Sequence, residues 1–366
     1  MKAKASIQGL EPYQPGKSLE EVKRELGLTQ VIKLASNENP YGCSSRVFEA
    51  LETMKNRLHF YPDGSARELK EKLADHLEVD ERRLILGNGS DEVIQILCRT
   101  FLEPGSESVM ADLTFSRYEA GVRIEGATPV KVPLKEGTHD LEAMLAAITD
   151  QTRIVWICNP NNPTGTIVSH EALSDFLDRI PEHVLVVLDE AYHEYVTDPS
   201  YPDSISLLDY NPQIVILRTF SKIYGLASFR IGYGITHPDL IREMERVREP
   251  FNVNGLAQQA AIAALEDQSF ITYCRMQNRR GIDQITRKLE ELGLEYFPAH
   301  GNFVFFDAKI PGEEVFQFLL RKGLIVRTGF GPTNVRITVG KEEENDQLLQ
   351  ALEELIISKR GLASNV

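Results

Sequence analysis

The stretch TFSKIYGLASFR (219–230) sets an amine, Lys222, directly after Ser221, with a guanidinium, Arg230, eight residues beyond it. The run IVILR just before it is apolar and rich in β-branched residues, which reads as a buried strand. Lys222 therefore falls past the C-terminal end of a strand, where open α/β sheets hold their ligands. Two more apolar runs end in residues that can do chemistry: RIVWIC leads into NPNNPTG with Asn162, and HVLVVL into DEAYHEY with Asp189 and Tyr192. Parallel strands would bring Asn162, Asp189 and Lys222 to one rim. A carboxylate that follows five apolar residues, as Asp189 does, needs a cation or strong donors to stay charged; otherwise it serves as a cap for the next segment.

A fourth run, RLILG, opens into GNGSDE (87–92), whose small residues let backbone amides approach an anion at the start of a helix. Glu92 occupies the place of a third glycine, which disfavours a dinucleotide and leaves room for a single phosphate. Arg230 is the side-chain cation available to that phosphate, and LTFSRY (113–118) offers an aromatic face. An amine, a buried carboxylate, an amide donor, a phosphate turn and a stacking ring together match what pyridoxal phosphate requires: an amine to meet its aldehyde, an anion to keep its pyridine nitrogen protonated, and a flat partner.

The elements that must carry these groups follow from periodicity. From residue 83 the chain alternates strand, turn and helix, through RLILG, SVMAD, RIVWIC, HVLVVL and IVILR, which argues a largely parallel sheet covered by helices. Capping boxes at Ser18/Glu21 and Ser65/Glu68 open two amphipathic helices. After residue 250 a long helical stretch precedes the runs FVFF, LIVR and VRITV and a final helix from Lys341 to about Lys359, the pattern of a second, smaller α+β domain. The division read from this is 1–30 as an N-terminal arm or part of the small domain, 31–250 as the large domain and 251–366 as the small one.

Composition narrows the function. Forty basic and 54 acidic residues give a formal charge of -14, which argues against nucleic acid or an anionic membrane as partner. Four cysteines without a CxxC pair signal neither a zinc site nor a disulfide framework, and they fit a reducing, cytoplasmic compartment. The N-terminus lacks an apolar signal core, and no apolar run approaches the ~18 residues of a membrane span.

NPNNPTG, DEAYHEY and TFSK followed by the arginine of SFR resemble the motifs of the class I/II, fold-type I, pyridoxal-phosphate aminotransferases. Within that group KLASNENPYG (33–42), FYPDGS (60–65), GNGSDE and VRITVG (335–340) are similar to the histidinol-phosphate aminotransferases, which exchange an amino group between histidinol phosphate and 2-oxoglutarate, yielding imidazole acetol phosphate and glutamate. The resemblance implies an α/β fold, with a large domain built on a mostly parallel seven-stranded sheet sandwiched by helices, and a homodimer. It implies that Lys222 carries the cofactor and moves a proton at the substrate. Asp189 would pair with the ring nitrogen, Asn162 and Tyr192 with the ring's phenolic oxygen, and Phe115 would stack on the ring. Ser90, Asp91, Ser221 and Arg230 would hold the phosphate, with Tyr61 reaching across from a second subunit. Tyr13, Asn39, Arg327 and Arg336 fall at substrate positions. Ser228 stands where glycine is usual, and Cys43 where proline is common.

Rival readings are a metal site at Glu190/His193 or Glu136/His139, a non-catalytic ligand sensor, an aromatic amino-acid transaminase and a phospho-amino-acid decarboxylase of the same fold. The metal reading lacks a third ligand cluster, and the sensor reading would tolerate loss of Lys222 or Asp189.

Overall fold

The computed structural model describes residues 3–10, 12 and 19–363. Seven strands form the central sheet: β1 (Leu84–Gly87), β2 (Glu107–Ala111), β3 (Thr128–Val132), β4 (Thr152–Cys158), β5 (Leu185–Asp189), β6 (Ile214–Thr219) and β7 (Gly232–Thr236). Their spatial order is β1-β7-β6-β5-β4-β2-β3. All neighbours run parallel except β7, which is antiparallel to β1 and β6.

The continuous apolar runs of β4, β5 and β6 are needed because both faces are covered. Val155, Ile157, Val186, Leu188 and Ile216 point into one hydrophobic cluster, and Ile154, Trp156, Val187, Val215 and Leu217 into another on the opposite face. Two strands have no such run. β3 is an edge strand with Pro129 and mixed exposure, and β7 reads GYGIT. Glycine is required at Gly232, where a Cβ would come within 2.3 Å of the Ser90 nitrogen.

A second core gathers Ile285, Leu289, Phe306, Ile337 and Leu352 beneath the antiparallel pair Phe303–Asp307 and Asn334–Thr338. Ile32–Lys33 joins this half of the molecule by pairing in parallel with Leu324–Ile325. The long helical stretch after 250 is two helices, Gly255–Leu265 and Gln268–Glu291, separated where the Asp267 carboxylate accepts from the Phe270 amide at 3.2 Å. The first packs Ala257, Ala260 and Ala261 into the cluster that holds Val47, Leu69 and Leu73 of the sheet's covering layer. The second starts in that cluster with Ile271 and Cys274 and ends in the small core with Ile282 and Ile285. The change of core thus falls inside Gln268–Glu291, later than the change of sequence texture at 250.

Helix ends differ from the expected boxes in one describable case. The helix Arg67–Leu77 is preceded by Ala66 in the left-handed region, and the Arg67 amide is taken at 2.9 Å by Asp63, not by Ser65. Ser18 lies outside the described residues.

Candidate active site

Strand register builds the rim. Cys158 pairs with Asp189 and Asp189 with Leu217, so the chain leaves β4, β5 and β6 at one level. There the segments open onto a cavity of about 440 Å³ lined by Asn162, Asp189, Tyr192 and Lys222.

Lys222 reaches inward with Nζ 3.4 Å from the Ser36 carbonyl and 5.5 Å from the centre of the Tyr192 ring. Burial, and then the nearby charge of Arg336, push its amine down to about 8, which keeps a neutral, proton-accepting form within reach of neutral pH. The Tyr192 hydroxyl accepts from Asn37 Nδ2 at 3.0 Å and from Asn162 Nδ2 at 3.3 Å. Asp189 is 3% exposed. Its carboxylate accepts from the Tyr118 hydroxyl at 2.6 Å and the Ala191 amide at 3.2 Å. Burial pushes Asp189 up to about 6, against the pull of these two neutral donors.

At the other end of the cavity Arg230, in the left-handed region at φ 55°, donates to Ser221 Oγ (3.3 Å), the Ala227 carbonyl (3.1 Å) and Asp91 Oδ2 (3.1 Å). Ser90 begins the helix Ser90–Phe101, whose N-cap, Gly89, has φ 79° and offers no side-chain acceptor to the first amides. A Cβ on Gly89 would lie 2.5 Å from Arg230 Nη2, so glycine admits the guanidinium to the helix start. The Asp91 carboxylate is spent on Arg230, and what Asp91 can give an anion is its backbone amide. Glu92 folds back to accept from Asn252 Nδ2 at 2.7 Å.

Phe115 also lines the cavity, as do two arginines brought by the small core. Arg327 and Arg336 are directly opposed, each amide bonding the other's carbonyl, at 3.0 and 2.8 Å. Arg336 is 7% exposed, donates to the Ala35 carbonyl at 2.7 Å, and lies 5.4 Å from the ring centre of Phe330.

Two expected site residues are not in this cavity, and a third, Tyr13, lies outside the described residues. Asn39 is used elsewhere, donating to the Ile223 carbonyl at 2.7 Å and to Cys274 Sγ at 3.3 Å, so it braces the loop after Lys222. Tyr61 is 82% exposed and stacks on Phe251 at 4.7 Å. The two departures from the family pattern lie on either side of the Lys222 loop. Ser228 is exposed in the turn Ala227–Phe229 and does not have a positive φ, so glycine is not needed there. Cys43 follows Gly42 on a segment so close to the Lys222 loop that a Cβ on Gly225 would meet the Gly42 carbonyl at 1.9 Å.

Two residues of the metal reading, Glu190 and His139, are engaged elsewhere. Glu190 pairs with buried Arg218 at 2.8 Å and accepts from Ser204, and His139 Nε2 lies 3.1 Å from the Cys158 carbonyl.

Two residues with a place in the site were missed from sequence. Tyr118 lies three residues after Phe115 in the turn that leads into the helix, its amide bonding the Phe115 carbonyl at 3.2 Å with the two rings in contact, and Asn37, at φ 54°, is an asparagine in a conformation that residue type favours.

Pyridoxal phosphate fits this donor set: an unsatisfied helix start with Ser221 and Arg230 for a phosphate, an amine of lowered basicity, and a buried carboxylate whose own donors are neutral. The chain belongs to the class I and II aminotransferases, whose family model matches residues 29–352. It is 56% identical over 363 residues to a histidinol-phosphate aminotransferase of Geobacillus sp. (strain WCH70), covering 98% of this chain and 100% of that one. Its identity to the histidinol-phosphate aminotransferase of Bacillus subtilis (strain 168) is 51% over 360 residues, 97% of this chain and 100% of the relative. The crystal structure of histidinol-phosphate aminotransferase from Sinorhizobium meliloti in complex with pyridoxal-5'-phosphate matches with a TM-score of 0.90 at 30% identity, covering 98% of both chains.

Proposed function

We propose that this chain is a pyridoxal-phosphate-dependent transaminase that moves an amino group between histidinol phosphate and 2-oxoglutarate in histidine biosynthesis. The observation that carries the reading is one cavity in which Lys222 stands among a buried carboxylate, an uncapped helix start and two opposed arginines. When bound, the cofactor supplies an aldehyde for the amino group and an electron-withdrawing ring.

The chain's residues do the rest. Ser221, Arg230 and the amides of Ser90 and Asp91 would hold the phosphate, Phe115 would cover the ring, and Asn162 with Tyr192 would meet its hydroxyl. Asp189 would pair with the ring nitrogen and favour its protonated form. Lys222 would hold the aldehyde end and, once free, take and return the proton at the substrate's Cα; its lowered basicity suits that traffic near neutral pH. Arg336 receives a carboxylate of glutamate or 2-oxoglutarate, and Arg327 contributes to reading the phosphate of histidinol phosphate.

The exposed side chains Phe48, Leu58, Phe60, Tyr61 and Phe251 support a homodimer in which Tyr61 serves the phosphate end of the other subunit's cavity. A cytoplasmic place is in keeping with four free cysteines, and among the described residues no helix is long and apolar enough to cross a membrane.

The test is to offer histidinol phosphate, phenylalanine, tyrosine and phosphothreonine separately and follow the spectrum of the bound cofactor. Conversion with histidinol phosphate supports the reading. Reaction with phenylalanine alone would move the protein to the aromatic transaminases, a second reading favoured by the rings of Phe115 and Phe330 on the cavity wall. Arg327→Ala should impair histidinol phosphate more than phenylalanine, and equal losses would remove its phosphate role.

A further inference from the structure

The buried face of the helix Arg117–Ile124 carries a residue to which no role has been given. Tyr118 has no exposed surface, and its ring lies parallel to Trp156, with centres 4.7 Å apart and planes 10° from one another. Trp156 is fixed in turn, its indole nitrogen donating to Ser108 Oγ at 2.8 Å, and Ser108 to the Ile154 carbonyl at 3.1 Å. On its other side the Tyr118 ring meets Phe115 edge-on, at 5.6 Å and 81°. A phenol clamped this way has one place for its hydroxyl, and that place is 2.6 Å from Asp189 Oδ2.

We propose that Tyr118 is a positioning residue for the transamination, its hydroxyl fixing the Asp189 carboxylate in orientation and in the ionised form that pairs with the cofactor's ring nitrogen. The inference rests on the assignment of Asp189 to that nitrogen. The physical argument is one of supply. Asp189 is buried and has two donors, Tyr118 on Oδ2 and the Ala191 amide on Oδ1, and the phenol makes the shorter bond. A donor to a carboxylate favours its charged form, and with Tyr118 wholly buried and Asp189 3% exposed little solvent can replace it when it is removed. Because Phe115 and Tyr118 stand on the same turn and touch, one segment sets both the face against which the ring lies and the group that meets its nitrogen. The reach of Tyr118 is through Asp189; it need not touch the cofactor.

Tyr118→Phe removes the hydroxyl and keeps the ring and its stack on Trp156. Dialysis of the holoenzyme should show the Kd for pyridoxal phosphate raised about tenfold at pH 7, the size of one charge-assisted hydrogen bond. Loss of the donor raises the pKa of the Asp189 carboxyl, so the acid limb of kcat/KM should move up by about one pH unit, with the deficit shrinking as pH rises. Site-specific 3-fluorotyrosine at position 118, a stronger donor in the same shape, should move that limb down. An unchanged Kd and acid limb in Tyr118→Phe, or a deficit equal at every pH, overturns the proposal and leaves Tyr118 as packing. If Tyr118→Phe does not fold, the fluorotyrosine protein decides by the direction of its shift. Asp189→Asn separates the two levels: near-normal turnover there overturns the assignment of Asp189 itself, whereas a large loss there with an indifferent Tyr118→Phe overturns only the inference.

Discussion

Arg336 and Asn162 meet across the two halves of the molecule, Nη1 of the arginine donating to the carboxamide oxygen at 2.5 Å. Asn162 comes from the turn after β4 in the large sheet, and Arg336 from a strand of the small core. The same carboxamide donates through Nδ2 to the Tyr192 hydroxyl, so the arginine proposed to receive a substrate anion and the pair proposed to meet the ring's oxygen are linked through one residue, Asn162. Asn37 repeats the connection, giving Nδ2 to Tyr192 while its amide donates to Thr338 Oγ1 at 2.9 Å. Under the proposed assignments, a substrate anion at Arg336 would be coupled to the cofactor's oxygen through side chains in direct contact.

Arg336→Lys keeps the charge and loses the planar fork. Since truncating one member of a buried charged contact costs about 2–5 kcal/mol, kcat/KM for glutamate is expected to fall by roughly 10²-fold or more, chiefly through KM. Steady-state kinetics with both amino donors reads this. A KM for glutamate equal to that of the unaltered enzyme would show that the carboxylate is held elsewhere.

Lys222→Ala removes the amine proposed to hold the cofactor covalently. The holoenzyme reduced with borohydride should retain pyridoxal phosphate on the chain, and the variant should release all of it on denaturation, which mass spectrometry of the intact protein distinguishes. A covalent adduct of the same mass in the variant would place the attachment on another residue.

Gly232→Ala tests the phosphate end without replacing any side chain assigned to chemistry. Its Cβ would sit 2.3 Å from the Ser90 nitrogen and 2.8 Å from the Gly89 carbonyl carbon, both backbone atoms, so the helix start must move. Amides aimed at an anion lose their alignment with that shift, and the expected result is at least a tenfold weaker Kd for pyridoxal phosphate, at about 1.4 kcal/mol per decade. Equilibrium dialysis measures it, and an unaltered Kd would mean that Arg230 and Ser221 hold the phosphate without the helix.

How much of this was legible in the sequence depended on whether a residue's role was local. Lys222, Asp189 and Asn162 follow apolar runs, and a run buried on both faces announces its own end. Strands β3 and β7 gave no such signal, because an edge strand need not be apolar and because β7 must carry glycine to let the Ser90 helix approach. Asn39 sits inside a family motif, yet its carboxamide is used on the Ile223 carbonyl, a contact between residues 184 positions apart that no spacing rule reports. Tyr118 was hidden for a similar reason, since its partner lies 71 residues away on another strand. The family resemblance supplied the number of strands, which the apolar runs alone undercounted.

Asp189→Asn sets function against stability, with a sign that can be worked out. An acid raised to about 6 in the folded protein binds more protons there than in the unfolded chain between its ordinary value of 3.8 and about 6. Stability therefore falls as pH rises through that window, by at most about 1.4 kcal/mol per pH unit, and does not recover from this source above it. Lys222 acts in the opposite sense: lowered to about 8 from 10.5, it gives stability that grows as pH rises between those values. Glu194, raised to about 7 by burial, adds a fall of its own, present in native and variant alike. In protein freed of cofactor, the difference between native and Asp189→Asn isolates the one carboxyl. Urea unfolding at a series of pH values should show the variant gaining on the native protein from pH 4 to 6 and remaining more stable at pH 7. The same variant, with cofactor restored, should lose transamination by roughly 10³-fold, as expected for removal of a preorganised charge at the reacting ring. Parallel stability curves from pH 4 to 7 would mean that folding does not bury an ionised carboxylate at position 189, and the cofactor's nitrogen would then need another partner.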